Sequence, residues 1–173
     1  MDILAYVLSI IGTCLLCTTS LLKGKDMRLI LMLVFLSNVS IGSSYLLSGA
    51  MNGALSCGVG AVQSIVNYFF DRKNKALPWW LITVYALAFA AVNILAFSQI
   101  ADIFSLLAGF AFVLCVAQKN GKGFRVWTLV NAMLWLTYDL VSMSYAPVIT
   151  HVCQIAIVLL GMILHDRKGK TKL

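Results

Sequence analysis

The sequence predicts an all-α polytopic membrane protein: seven transmembrane helices, arranged as two parallel three-helix bundles joined by a linking fourth helix. Three observations carry this prediction. The 173 residues are 61% hydrophobic and 11% charged, with a mean hydropathy of +0.95, against about 25% charged in an ordinary soluble domain. All thirteen Lys and Arg residues fall in four short clusters between apolar stretches: Lys23, Lys25 and Arg28; Arg72, Lys73 and Lys75; Lys119, Lys122 and Arg125; Arg167, Lys168, Lys170 and Lys172. Finally, a set of landmarks in the first half recurs in the same order in the second.

Neighbouring clusters are separated by about 40 apolar residues, enough for two crossings of about 20 each. A chain that crosses twice between clusters returns each cluster to the same side. Under the positive-inside rule that side is the cytoplasm, which puts the C-terminus inside and the N-terminus outside. The first apolar run is read as a retained helix, because Met1-Asp2 lacks the basic n-region of a signal peptide. Seven crossings leave no room for a soluble domain. The net charge of +7 does not point to nucleic acid. It is expected on loops facing anionic lipid, at about 1 kcal/mol per charge, and not on one folded basic face.

The spans follow in order. The first covers Ile3–Leu22 and stops at Lys23-Gly-Lys. The second, Leu29–Leu47, ends in the uncharged breaker-rich turn Ser48–Gly53. The third, Ala54–Phe70, stops at Asp71-Arg-Lys-Asn-Lys75. After Leu77-Pro78 the fourth opens on Trp79-Trp80, a pair suited to the headgroup level, and runs to Phe97. A short turn holding Asp102 precedes the fifth, Ile103–Gln118. The sixth is Val126–Val141. The seventh, Val148–Leu164, is opened by Pro147 and closed by His165-Asp-Arg-Lys.

The landmarks then group these spans. Asp71-Arg72-Lys73-Asn74-Lys75 closes the third and Asp166-Arg167-Lys168-Gly169-Lys170 the seventh. Lys25-Asp-Met-Arg28 opens the second and Lys122-Gly-Phe-Arg125 the sixth. Asp2-Ile3 and Asp102-Ile103 open the first and fifth. The expected units are residues 1–75, a linker helix over 76–98, and a second unit over 99–173. Because three crossings invert a unit, the extra fourth helix restores the second copy to the orientation of the first. Parallel repeats of this kind occur in transporters.

Polar side chains in hydrocarbon are costly and face the bundle interior or a wet cavity. Near mid-depth the sequence places Thr13, Ser37, Asn38, Gln63, Asn93, Asn131 and Gln154; further out it places Tyr45, Tyr138, Asp139 and His151. Asn131, Trp135 and Tyr138 fall at i, i+4 and i+7, His151 and Gln154 at i, i+3, and Ser56, Gln63 and Asn67 also share a face. One reading is a central site for a polar solute, lined by Asn38, Gln63, Asn93, Asn131, Trp135, Tyr138, His151 and Gln154, with Asp139 and His151 as a proton or ion relay. Amides both donate and accept, and Trp and Tyr give flat apolar faces. The other is that these groups glue helices together at about 0.6 kcal/mol each. The stripe Gly53, Cys57, Gly60, Ser64 fits close helix packing. Cys14-x-x-Cys17 lies mid-helix, away from any loop that could shape a metal site. No metal or cofactor is expected. An enzyme is not expected either: there is no HExxH, Walker loop or nucleophile elbow, and no lysine in the seventh span for a retinal Schiff base.

Leu134-Trp-Leu-Thr-Tyr-Asp139, followed by Ser144 and a helix ending in His165-Asp-Arg167, resembles the sixth and seventh helices of the bacterial inner-membrane YgjV family. Tyr45-Leu-Leu-Ser-Gly-Ala50 before Gly53-Ala54 looks like that family's turn between the second and third helices. The resemblance implies the three-plus-one-plus-three fold shared by PQ-loop proteins, SWEET sugar transporters and PnuC vitamin transporters; Trp135, Tyr138 and Asp139 are also similar to a PnuC cluster. The chain departs from the wider group in having no Pro-Gln dipeptide and no proline in its first and fifth helices. The expectation is a small inner-membrane transporter or facilitator for a nucleoside, vitamin or sugar, its partners being that solute, the lipid bilayer and a second copy of the chain in a homo-oligomer. The alternative is a non-transporting receptor or chaperone on a PQ-loop-type fold, as the KDEL receptor is.

Overall fold

A computed structural model of the chain describes residues 3–22, 27–47, 51–97, 100–141 and 145–166. It has seven α-helices: α1 (Ile3–Leu21), α2 (Met27–Leu47), α3 (Met51–Arg72), α4 (Trp79–Leu95), α5 (Asp102–Val116), α6 (Gly121–Val141) and α7 (Tyr145–Asp166). No strand occurs among the described residues. Asp2, Lys23, Lys25, Ser48, Ser144 and the tail carrying Arg167, Lys168, Lys170 and Lys172 lie outside them.

Each of the seven spans is one helix; α2, α3, α6 and α7 run past the apolar windows, whereas α1, α4 and α5 stop one or two residues short of theirs. α6 begins five residues before Val126 and α3 ends two after Phe70. Helix hydrogen bonds do not need apolar side chains, so the last turns continue through charges that pair or reach water. This corrects the expectation that the basic residues are loop charges: Arg28, Arg72, Lys122 and Arg125 are helical, and Arg125 is buried. α3 closes at Asn74, whose φ of 50° is left-handed, with Lys75 N–H donating to Phe70 O at 3.0 Å. Asn is one of the few non-glycine residues that tolerate this cap.

The helices pack in sequence, α1 on α2 on α3 and α5 on α6 on α7. Two further seams, α3 against α5 and α1 against α7, join these groups, while α4 lies on α3 and α5. Three serines of α2 stitch it to α1: Ser37, Ser40 and Ser44 donate to the carbonyls of Gly12, Leu8 and Ala5 at 2.6–2.7 Å. Their antiparallel order keeps the two backbones close. Gly161 of α7 permits the α1–α7 seam, since a Cβ there would collide with the Ser20 carbonyl. At the basic end Arg28 pairs with Asp71 and Arg125 with Asp166, and Arg125 also donates to Leu22 O at 3.1 Å.

The distribution of polarity is inverted relative to a water-soluble bundle. Exposed large apolar side chains occur on all seven helices, among them Ile10, Leu36, Val62, Leu87, Leu107, Met133 and Leu160. The interior holds Ser37, Gln63, Asn67, Asn93, Thr128, Asn131, Asp139 and Gln154. Lipid imposes this arrangement, because apolar side chains gain nothing by leaving it and backbone and amide groups must find partners inside. Among the described residues, α1 and α2 are each long and apolar enough to cross a bilayer.

Candidate functional site

A cavity lies at the centre of the bundle, and every helix contributes to its wall. α2 brings Ser37, Asn38, Ile41 and Tyr45; α3 brings Gly53, Ser56 and Cys57; α6 brings Asn131 and Trp135; α7 brings His151 and Gln154. Leu16 of α1, Phe89 of α4 and Ala108, Gly109 and Phe112 of α5 complete it. Its volume is about 90 Å³. That is room for roughly six waters at about 15 Å³ each, well below the 300–1,000 Å³ of a drug-sized site.

The cavity is closed toward the basic end. Met27, Ile30, Leu31, Val34, Cys115, Val116 and Phe124 form an apolar cluster there, with Leu16 and Phe112 packed against it from the cavity side. At the opposite end Tyr45 lies over Gly53, where a Cβ would come within 2.8 Å of the ring. Trp135 stands there with its ring at 6° to that of His151 (centroids 6.2 Å apart) and edge-on to Tyr138.

The polar groups fall into two kinds. Many are engaged by the protein through at least one amide or hydroxyl group, although Gln63 Oε1 is buried without a partner among the described residues. Gln63 Nε2 donates to Val113 O at 3.2 Å and Asn67 Nδ2 to Val116 O at 2.9 Å, tying α3 to the C-terminal turn of α5. Val113 O also accepts from the Ala117 N–H, whereas the last carbonyls of a helix, such as that of Val116, lack an intrahelical donor. Asn93 Nδ2 donates to Phe89 O at 2.9 Å while its Oδ1 accepts from Ser105, linking α4 to α5. Others are left open. Asn131 uses Nδ2 on Ala108 O at 2.8 Å, and Asn38 uses Nδ2 on Val34 O at 2.9 Å, leaving each Oδ1 without a donor among the described residues. Gln154 is 2% exposed and hydrogen-bonds to no described residue. The Ser56 and Tyr45 hydroxyls and the Trp135 indole N–H are equally without a partner among the described residues.

Of the eight residues expected to bind a solute, the cavity wall gathers Asn38, Asn131, Trp135, His151 and Gln154. It does not gather Gln63, Asn93 or Tyr138. Gln63 and Asn93 are turned into helix–helix seams, where backbone carbonyls take their amides; Tyr138 supports Trp135 from the side. Asp139 and His151 do meet, Oδ2 to Nδ1 at 2.6 Å, with Asp139 buried on α6. Periodicity gave no sign of Phe89, Phe112, Ala108 and Gly109, because apolar and small residues on an apolar helix look alike whichever way they face. Tyr45 and Ser56 were visible as polar residues on helix faces, and those faces prove to be cavity faces.

Apolar side chains exposed on every helix, and buried polar groups around a partly open cavity reached by seven helices, are the marks of an integral membrane bundle. The chain belongs to the YgjV family: the family model Imp-YgjV, bacterial inner membrane protein, matches residues 3–168. No curated protein and no solved structure matches the chain.

Proposed function

We propose that this inner-membrane protein is a small transporter or facilitator for a polar solute of the nucleoside, vitamin or sugar class, which passes through the central cavity. One observation carries the reading: the cavity wall gathers a set of polar groups with no protein partner among the described residues, namely Gln154, the Ser56 and Tyr45 hydroxyls, the Trp135 N–H and one amide oxygen each of Asn38 and Asn131. In a bundle surrounded by lipid an unpaired amide costs several kcal/mol, so Gln154, Ser56 and the two free Asn Oδ1 atoms are paired by water or by a solute. Asn131 and Asn38 offer acceptors, Trp135 a donor and Gln154 both.

In this reading all seven helices cross the bilayer, basic end inward, and α1–α3 and α5–α7 are parallel repeats linked by α4. The two ion pairs support it. Arg28 at the start of α2 meets Asp71 at the end of α3; Arg125 at the start of α6 meets Asp166 at the end of α7. The seams are reciprocal in the same sense, third helix of one unit on first helix of the other, as a two-fold axis along the membrane normal requires. Asn74, in its left-handed cap, corresponds to Gly169, the other residue suited to that conformation. Rocking one unit against the other widens the cavity for its solute and opens it alternately to each side.

The test is uptake by proteoliposomes over a panel of uridine, thiamine, glucose and leucine, with Gln154→Leu and Asn131→Ala in parallel. Uptake above empty liposomes, lowered at least tenfold by either variant, is expected. Binding of a panel member without uptake would instead identify a receptor, and neither binding nor uptake would leave the cavity as trapped water between glued helices.

A further inference from the structure

We propose that Asp139 and His151 form the proton-binding element of the cavity, so that solute movement is coupled to a proton gradient; this rests on the transport reading above. The pair is built across two helices, α6 and α7, with Asp139 Oδ2 on His151 Nδ1 at 2.6 Å. Asp139 is buried, whereas His151 lines the cavity. With Nδ1 taken by the carboxylate, the nitrogen left to exchange a proton with the cavity is Nε2. A carboxylate that fixes one ring nitrogen and leaves the other for chemistry is a general way of orienting histidine.

The proton step balances simply. A proton from cavity water adds to Nε2 while the Nδ1–H remains on the Asp139 carboxylate, and the pair goes from a net charge of −1 to zero. In a low-dielectric interior the charged state is the costly one. The neutral state is therefore the one that passes through an occluded conformation, and a neutral solute crosses together with the proton. No lysine or arginine among the described residues stands at this end to substitute for that proton. Among the described residues the other ionisable side chains on this half of the bundle are phenols and thiols: Tyr138 on α6, Tyr45 on α2, Cys57 on α3, Cys153 on α7 and Tyr6 on α1. Among the described residues the further carboxylate at this end is Asp102, buried at the start of α5.

Two measurements on the full chain test the assignment. The first needs no solute. His151 lies over Trp135 with parallel rings, and an imidazolium quenches a neighbouring indole. Tryptophan fluorescence should therefore fall as pH falls, and this titration should vanish in His151→Gln, Asp139→Asn and Trp135→Phe while persisting in Asp102→Asn. The second is uptake of the same panel into proteoliposomes. One-to-one coupling to a gradient of one pH unit sustains about tenfold accumulation of a neutral solute, since one pH unit and a factor of ten are the same free energy. Accumulation should fall to the level of equilibration in Asp139→Asn and His151→Gln and stay tenfold in Asp102→Asn.

Uptake that is unchanged when the gradient is collapsed overturns the coupling and leaves the transport reading standing. Loss of accumulation in Asp102→Asn, with Asp139→Asn unaffected, moves the proton to α5 and also overturns it. Absence of uptake for every probe removes the transport reading and the coupling together, whatever the fluorescence does. Should Asp139→Asn fail to fold, His151→Gln carries both measurements, because the glutamine can still donate to the carboxylate.

Discussion

Replacing Arg125 by alanine should destabilise the protein far more than replacing Arg28, although the two occupy corresponding places in the sequence. The Arg125 and Asp166 side chains are 3% and 15% exposed, those of Arg28 and Asp71 53% and 38%. Arg125 makes two contacts to Asp166 through Nε and Nη2, and a third through Nη1 to the Leu22 carbonyl at the end of α1. Its removal strands a mostly buried carboxylate and a helix-terminal carbonyl. Breaking a buried pair from one side costs about 3–5 kcal/mol; the partial exposure of Asp166 favours the lower end of that range. Arg28 touches Asp71 and Asn74 in water-accessible surroundings, where such pairs contribute about 0–1 kcal/mol. Reversible unfolding in mixed micelles, followed by tryptophan fluorescence, measures both variants. A double-mutant cycle between Arg125→Ala and Asp166→Ala should return a coupling of about 2 kcal/mol or more, since contacting groups do not behave additively. Equal costs for Arg125→Ala and Arg28→Ala, within about 1 kcal/mol, would refute the reasoning.

Two further perturbations separate site from scaffold. Gln154→Leu removes an amide with no partner among the described residues, so stability should hold within about 0.5 kcal/mol while solute binding falls; Gln63→Leu should leave binding intact, as measured by equilibrium dialysis in detergent. Gly161→Ala drives a methyl group into the Ser20 backbone, which cannot rotate away, and into Arg125 Cδ; a loss of about 1–3 kcal/mol in the same unfolding assay is expected.

The seven helices could be read from the sequence, with bounds within about five residues, because lipid makes length and charge placement decisive. Spans of about 20 apolar residues punctuated by basic clusters admit few alternatives. The misreadings are at the helix ends, and they share a cause. A hydropathy window stops at Arg125 or Asp71, whereas the helix stops where its backbone bonds run out. The site was legible only as a pool of polar residues. On a helix that is apolar nearly all round, rotation about the axis is set by neighbours and not by its own periodicity. Gln63 and Gln154 are therefore indistinguishable in sequence, yet one faces the Val113 carbonyl and the other the cavity. Asp139 and His151 were easier, because both lie near the adjoining ends of consecutive helices, where few partners compete.

The partition of polar groups into engaged and open sets bears on how such a bundle could move. At the basic end the α3–α5 seam is held by Asn67 on the carbonyl of Val116, with Gln63 on Val113 one turn deeper. The α1–α7 seam is held by Arg125 on Leu22 O, His165 on Leu21 O and the close approach of Gly161 to Ser20. Both seams bond side chains to backbone carbonyls near helix C-termini, and the last of these carbonyls are already short of partners. Opening the basic end by rocking exposes these carbonyls to water at the membrane surface, where solvent replaces the lost bonds. The cavity groups have no such recourse, because a carbonyl at the end of α1 or α5 reaches bulk water and the Gln154 amide does not. An opening motion is therefore inexpensive at the ends of the helices, and what lies at mid-depth needs its own occupant in every state. Under the transport reading proposed above, that asymmetry is what a carrier requires and a rigid scaffold does not: seams that water can relieve, around a cavity whose open amides call for a hydrogen-bonding guest.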